Sequence, residues 1–363
     1  MLLSLKSKLP YANITVFSSN PEFTRKKYKV RSVDGSLKKY PLAILRELYK
    51  ADVLVLGGGG LFPNHRPVKI FNSLLIVLIA RLLGVKKIVV YAIGVDPIEY
   101  GISRFLMKMV FKYFVNHISV RVSASAEVLE KCGIQDVSVY KDPAFLLPSD
   151  DKKALKVLSN IGILAGIPYV TVVLARPWHK NTEKSRYNRF VNGCSRVLSD
   201  FVNQNKQVRL IFIPFFYPGD REMAEEIIEK LGNPSYAYLL DVCNDPRLAK
   251  SLIKHSSMLI GMRFHSLLFG VSTAVPLAAI SYGPKSESLL KSFGLGQYSV
   301  RLGIRKDEFF KVIEDVNFDD FELKIKEVWR NKETIRQNLI SVLGSINENE
   351  YTIGDVILSL YRE

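Results

Sequence analysis

Short runs of apolar residues alternate along this chain with longer stretches in which apolar positions recur every three or four residues. Continuous apolar runs of four to eight residues read as strands buried on both faces, and the 3.6-residue recurrence reads as helices packed over them. The strands predicted in this way are Ile14–Phe17, Val53–Leu56, Lys87–Ile93, His117–Val120 and Val137–Tyr140. A break follows from Asp142-Pro143 to Asp151. A second series then runs through Tyr169–Leu174, Val208–Ile213, Ala237–Leu240, Met258–Ile260 and Leu277–Ile280. Between them the spacing predicts helices over Phe71–Leu83, Ser103–Val115, Ala124–Cys132, Lys184–Gln204, Asp220–Leu231 and Asp245–Lys254. One long amphipathic helix is predicted over Phe321–Val342. The fold class is therefore α/β with mostly parallel sheets. Two consecutive Rossmann-like domains are expected, at residues 1–148 and 149–363, with the ligand cleft between them.

Composition supports this picture. The chain has 363 residues, 48% hydrophobic and 24% charged, enough for two ordinary cores. The apolar stretch Phe71–Leu83 is short and carries Arg81, so it reads as a buried helix and not a membrane span. Lys6 and Lys8 are not followed by the apolar core of a signal peptide. Cys132, Cys194 and Cys243 form no CxxC pair and no metal spacing, which suggests buried thiols in a reducing, cytoplasmic setting. The net charge of +16 is uneven: residues 1–50 hold eleven Lys/Arg against three acids, whereas residues 301–363 hold ten against thirteen. Such a basic amino-terminal half is either a solvated face or a surface for nucleic acid, anionic headgroups or an anionic sugar. No helix-turn-helix, zinc finger or RNA-binding aromatic signature accompanies it, so nucleic acid is not expected.

The chemistry concentrates after strands. Gly261-Met262-Arg263-Phe264-His265 follows the run Ser257–Ile260, and Tyr282-Gly283-Pro284-Lys285 follows Pro276–Ser281. This places Arg263, His265 and Lys285 at the carboxyl ends of neighbouring strands, where open α/β sheets bind ligands. Two fixed cations and an imidazole suit an anionic donor such as a phosphate or carboxylate. Gly57-Gly58-Gly59-Gly60 follows Val53–Leu56; it is neither GxGxxG nor a P-loop, and it reads as a substrate loop or as a structural turn. Gly94 follows the strand Lys87–Ile93 and permits close packing, while Asp96 either caps a helix or accepts a sugar hydroxyl. Arg121, just past His117–Val120, stands ahead of a helix start capped by Ser123 or Ser125; it makes an anion site or is a surface arginine. His65 is a second-choice imidazole, and His117, His179 and His255 read as structural or exposed. Lys141-Asp142-Pro143 reads as the interdomain joint. No nucleophile elbow and no metal-ligand spacing is present in the sequence.

Taken in order, these motifs resemble the polysaccharide pyruvyl transferase family, over roughly residues 12–345. The Met-Arg-x-His segment at Met262–His265 with the downstream Pro284-Lys285 is the specific part. The resemblance implies a fold similar to GT-B glycosyltransferases. It implies phosphoenolpyruvate as donor and a pair of sugar hydroxyls as acceptor, the acceptor being a unit of a cell-surface polysaccharide, often lipid-linked. The product would be a pyruvate ketal, with no cofactor. On that carry-over Arg121 and Lys285 hold the donor's carboxylate and phosphate, Arg263 supports them, and His265 is the acid/base. Family members usually open with a strand and a Gly/Asn-rich loop, so this chain is expected to be amino-terminally shortened, and Gly283 stands where an acid is common. The rival readings are a nucleotide-sugar glycosyltransferase of the same architecture, with Glu287 as the candidate ribose ligand, and a non-catalytic shortened homologue. Peripheral contact with the inner face of a membrane would suit the basic half.

Overall fold

The computed structural model describes residues 1–59, 61–62, 67–178, 183–242, 244–302, 304–306, 311–313, 315–345 and 352–362. Gly60, His65, His179 and Cys243 lie outside the described residues. The chain divides into two compact units, Met1–Pro143 with Glu348–Glu363, and Ala144–Asn347.

The first unit opens with α1 (Leu2–Lys8), β1 (Thr15–Ser18), α2 (Pro21–Tyr28), β2 (Arg31–Asp34) and α3 (Pro41–Tyr49). It continues through β3 (Val53–Gly57), α4 (Pro67–Leu82), β4 (Lys87–Ile93), α5 (Gly101–Phe114), β5 (His117–Val120), α6 (Ser123–Lys131) and β6 (Val137–Val139). β1 and β2 form a parallel pair of their own, and β3-β4-β5-β6 form a parallel sheet in chain order. Crossovers between parallel strands are right-handed, so an unreversed order puts α4, α5 and α6 on one face. There Ile70, Leu74 and Val77 of α4 and Met107, Val110 and Phe111 of α5 bury Leu54, Ile88, Val90 and Ile118. The other face, Val89 and Tyr91, is covered by Ile353, Val356 and Ile357 of the last helix, α15 (Ile353–Ser359), beside Leu5 of α1. Both faces of β4 are thus dry, which explains why it reads as an unbroken apolar run.

The second unit comprises α7 (Asp151–Asn160), β7 (Tyr169–Val173), α8 (Lys184–Gln204), β8 (Arg209–Phe212), α9 (Gly219–Lys230) and β9 (Ala237–Leu239). Then come α10 (Pro246–Lys254), β10 (Met258–Gly261), α11 (Phe264–Ser272), β11 (Leu277–Ser281), α12 (Pro284–Ser292) and β12 (Ser299–Arg301). A short antiparallel pair, β13 (Ile304–Lys306) and β14 (Lys311–Ile313), precedes α13 (Phe318–Arg330) and α14 (Lys332–Ser345). The sheet order is β12-β11-β10-β7-β8-β9, parallel throughout. From β7 the chain steps outward to β8 and β9, then returns to lay β10, β11 and β12 on the other side. The direction of winding therefore reverses between β7 and β10.

Asparagine and aspartate side chains fix several helix starts. Asp150 accepts from Lys153 N at 3.2 Å, Asp245 from Leu248 N at 3.1 Å, and Asn317 from Asp320 N at 3.0 Å.

The α/β class with two parallel-sheet, Rossmann-like domains is as the sequence predicts. Three details differ. The units meet at Pro143/Ala144 and not at residue 148, and residues 348–363 return to the first unit. The expected helix over Phe321–Val342 is two helices that break at Asn331, whose φ and ψ of −101° and 14° leave the helical region. Ser123 and Ser125 do not cap α6: its cap position is Val122, and the Ser125 hydroxyl instead bonds Val95 N and O at 3.0 and 3.1 Å.

Candidate functional site

In an open parallel sheet the loops on either side of a winding reversal splay apart, leaving a crevice at the carboxyl ends of the two strands. The first unit's described sheet has no such reversal. The second has one, between β7 and β10. Arg176 follows β7, and Arg263 and His265 follow β10. Lys285 follows β11, the next strand beyond, and Asp220 follows β8. The Met262 sulphur, 3.4 Å from Ala175 N, ties the β10 loop to the β7 loop.

Arg263 is the anchor of this edge. Its Nε donates to Asp220 Oδ2 at 2.8 Å and its Nη2 donates to Asp220 Oδ1, a two-pronged pair. The Asp220 side chain is fully buried, whereas Arg263 keeps a quarter of its surface. Burial works against the guanidinium's charge, but Asp220 and then Tyr282 outweigh it and hold Arg263 above its ordinary pKa. The guanidinium also lies over the Phe216 ring at 5.4 Å. Asp220 accepts two backbone N–H groups as well, from Arg176 at 3.1 Å and from Phe216 at 3.0 Å. One carboxylate therefore fastens the β7, β8 and β10 loops together.

Arg176 reaches Glu222 at 2.8 Å, and its guanidinium packs so closely over Gly219 that a Cβ there would lie 2.7 Å from Nε. A side chain at 219 would therefore displace the Arg176 guanidinium. His265 occupies the first turn of α11, edge-on to Phe264 with ring centroids 5.5 Å apart. Lys285 is half-buried in the first turn of α12. The amino ends of α9, α11 and α12 all lie along this edge, each presenting a positive dipole end. With Arg176, Arg263 and Lys285 against Asp220 and Glu222, the fixed charge is 3 − 2 = +1 before His265 is protonated. Glu287, the candidate ribose ligand, is paired with Arg301 at 3.0 Å.

The remaining predicted residues gather at the corresponding edge of the first sheet. Gly58 and Gly59 have φ of +79° and +82°, a turn that glycine makes without strain. The space above Gly57 is taken by the Met1 side chain, so a Cβ there would collide with it. Gly94 N donates to Gly59 O at 3.1 Å, joining the β3 and β4 loops. Arg121 is buried, and its Nη1 donates to Asp142 at 2.6 Å, the two side chains being 6% and 7% exposed. Asp142 is thus the partner of a buried ion pair. His117, read as structural, is stacked on Tyr140 at 5.5 Å, and burial pushes its pKa down.

Sequence reasoning missed Arg176 and Asp220, and gave Tyr282 no role of its own within the motif Tyr282–Lys285. Arg176 carried the same signal as Arg263, an arginine just past an apolar strand. Asp220 read only as a helix start, an ordinary place for an acid.

The model of the polysaccharide pyruvyl transferase family matches residues 2–284. This chain belongs to that family. A relative within reach is the amylovoran biosynthesis protein AmsJ of Erwinia amylovora, 25% identical over 262 residues. That match covers 69% of this chain and 61% of AmsJ, so the chain spans less than two thirds of that relative's length. Among solved structures, HepE of Anabaena in complex with UDP and glucose is similar at a TM-score of 0.58, with 12% identity over 99% of this chain and 94% of that one. The UDP-GlcNAc 2-epimerase of Neisseria meningitidis bound to UDP-GlcNAc is similar at 0.63, with 10% identity over 100% and 96%. A glycosyltransferase from Rickettsia africae is similar at 0.61, with 12% identity over 99% and 92%. At these identities the likeness is one of fold: this family member shares the two-domain architecture of GT-B glycosyltransferases and UDP-GlcNAc 2-epimerases.

Proposed function

We propose that this family member transfers a pyruvyl group from phosphoenolpyruvate to two hydroxyls of a sugar in a cell-surface polysaccharide or its precursor. The observation that carries this reading is the grouping of Arg176, Arg263, His265 and Lys285 on the loops of adjacent strands at the winding reversal of the second sheet. Phosphoenolpyruvate brings about three negative charges, which guanidinium, ammonium and helix amino ends hold better than neutral donors. Arg263, oriented by Asp220, and Arg176, oriented by Glu222, offer the donor fixed guanidinium edges, with Lys285 as a point charge beside them. Arg121, buried against Asp142, has the lesser part of holding the β5 loop in place.

The chemistry needs one group that moves protons near neutral pH, and the imidazole of His265 supplies it. A proton is delivered to the donor's methylene carbon, which becomes a methyl group, and positive charge develops on the adjacent carbon. One sugar hydroxyl attacks that carbon and loses its proton; the carbon–oxygen bond to phosphate breaks. The second hydroxyl closes the ketal and loses its proton in turn. Of the two protons released, one balances the methyl group and the other leaves with phosphate or solvent.

The test is phosphate release from phosphoenolpyruvate in the presence of a panel of oligosaccharides, with thermal-shift titration of phosphoenolpyruvate against UDP-sugars. Release with one acceptor and stabilisation by phosphoenolpyruvate support the reading, while stabilisation by a UDP-sugar alone replaces it with glycosyl transfer. His265→Ala is expected to abolish release while its melting temperature stays at the wild-type value; wild-type turnover in that variant removes His265 from the mechanism. Truncating Arg263 removes a preorganised charge contact and costs about 3–4 kcal/mol of transition-state stabilisation.

A further inference from the structure

The outer surface of the first unit's helical layer is apolar where a soluble layer is normally polar. Along α5, Ile102, Phe105, Met109 and Tyr113 are all exposed, at spacings of three, four and four residues. Phe105 and Tyr113 each keep more than half their surface in water, at 58% and 59%. α4 repeats the pattern with exposed Val68, Phe71, Leu75 and Leu82. A helix buried on one side should show polar residues on the other, and an apolar ridge there marks a binding face.

The two ridges converge. On α5, Arg104, Lys108 and Lys112 form a second ridge, four residues apart, and the Lys108 amine lies over Gly133 just after α6. The basic ridge therefore faces α6 and the apolar ridge leans toward α4. α4 and α5 pack together and, as consecutive crossovers of one parallel sheet, run in the same direction. The same helical sense turns Phe71, Leu75 and Leu82 of α4 toward α5. An apolar strip thus follows the seam of the two helices, bordered by basic side chains.

The sign of the charge selects the occupant. α4 and α5 carry Lys69, Arg81, Arg104, Lys108 and Lys112 and no acid. Arg81 is turned inward, donating to the Phe114, Val85 and Lys86 carbonyls. The acids nearest in sequence are Asp96 and Glu99 ahead of α5 and Glu127 and Glu130 on α6. A second copy of this chain docked face to face across the seam would set lysine against lysine. An anionic bilayer supplies both complements, acyl chains for the strip and headgroup phosphates for its border. We infer that the α4–α5 seam is a membrane-docking surface that seats the first unit on an anionic phospholipid bilayer. No described helix is long and apolar enough to cross a membrane, so the contact is one of lying on the surface. The inference does not rest on the pyruvyl-transfer reading.

Co-sedimentation of the whole protein with vesicles tests it, using pure phosphatidylcholine and phosphatidylcholine containing about one-third phosphatidylglycerol, at low and high salt. Wild type is expected to pellet with the anionic vesicles and to stay in solution with the zwitterionic ones. Reversing two border charges, Lys108→Glu with Lys112→Glu, should weaken anionic binding at least about tenfold. Phe105→Ser with Leu75→Ser should lower it at both salt concentrations, since apolar insertion is not screened. These positions are exposed, so each variant should melt with wild type. Absence of wild-type binding, equal binding to both vesicle types, or wild-type binding by both variants overturns the proposal. So does a wild-type dimer in sedimentation velocity that Phe105→Ser converts to monomer, which would assign the seam to a second copy.

Discussion

Asp220 shows how one side chain governs several loops. It is fully buried, pairs with Arg263 and takes the backbone N–H groups of Arg176 and Phe216, so it cannot be replaced without loosening three strand ends. Breaking a buried ion pair by removing one charge costs about 3–5 kcal/mol, and Arg263 retains some water access, so Asp220→Asn should fall near the lower end. Urea unfolding followed by tryptophan fluorescence measures this, and a change below about 1 kcal/mol would mean the pair is not a keystone. The pairing lay beyond the reach of the sequence because it spans 43 positions. The strand-end placement of Arg263 and His265 was legible because each depends only on the apolar run just before it. A second residue-scale consequence concerns Lys250, buried in α10 with its amine on the Phe145 carbonyl at 2.6 Å. Burial, and then repulsion from Lys254, depress its pKa from 10.5 to about 8. Between those values the unfolded chain binds more protons than the folded one, so this group makes stability rise with pH from about 8 toward 10.5. Relative to Lys250→Met, wild type should gain up to about 1.4 kcal/mol per pH unit across that window. A pH-independent difference between the two proteins would contradict the assignment.

At the scale of elements, the first unit depends on a helix drawn from the other end of the chain. α1 and α15 touch at Gly354, whose N–H donates to Ser4 Oγ at 3.2 Å, and Lys8 pairs with Asp355 at 2.9 Å. A Cβ on Gly354 would lie 2.5 Å from Lys8 Cβ and 3.2 Å from the Ser4 carbonyl oxygen. Gly354→Ile is therefore expected to push the two helices apart at a cost of about 1–3 kcal/mol. Faster amide exchange in α1, α15 and β4, with α8 and β7 unchanged, would show it; uniform exchange would refute it. Elements such as β4, β5 and α8 were legible to the residue because their apolar runs are long or strictly periodic. β2 and β12 were missed: Arg31–Asp34 and Ser299–Arg301 each hold a single apolar residue, too little for any period to register. The break at Asn331 was missed because the apolar spacing continues from one helix into the next while the backbone does not.

For the molecule as a whole, the two larger parallel sheets were readable from the alternation of runs. What the alternation cannot convey is strand order. Only the order β10-β7-β8 singles out the second sheet as the one with a reversal, and with it the edge where Arg176, Arg263, His265 and Lys285 gather. The basic excess of residues 1–50 likewise drew attention to the first unit, but the surface on which apolar and basic ridges meet lies further on, over α4 and α5.

The return of α15 to the first unit also bears on how the protein is made. A ribosome delivers the first unit's sheet early, yet the covering of Val89 and Tyr91 by Ile353, Val356 and Ile357 waits until the whole second unit has emerged ahead of them. The second unit draws only on residues 144–347 and can finish before that moment. Translation order and folding order are therefore inverted: the half encoded first is completed last, and until then Val89 and Tyr91 lack the helix that covers them.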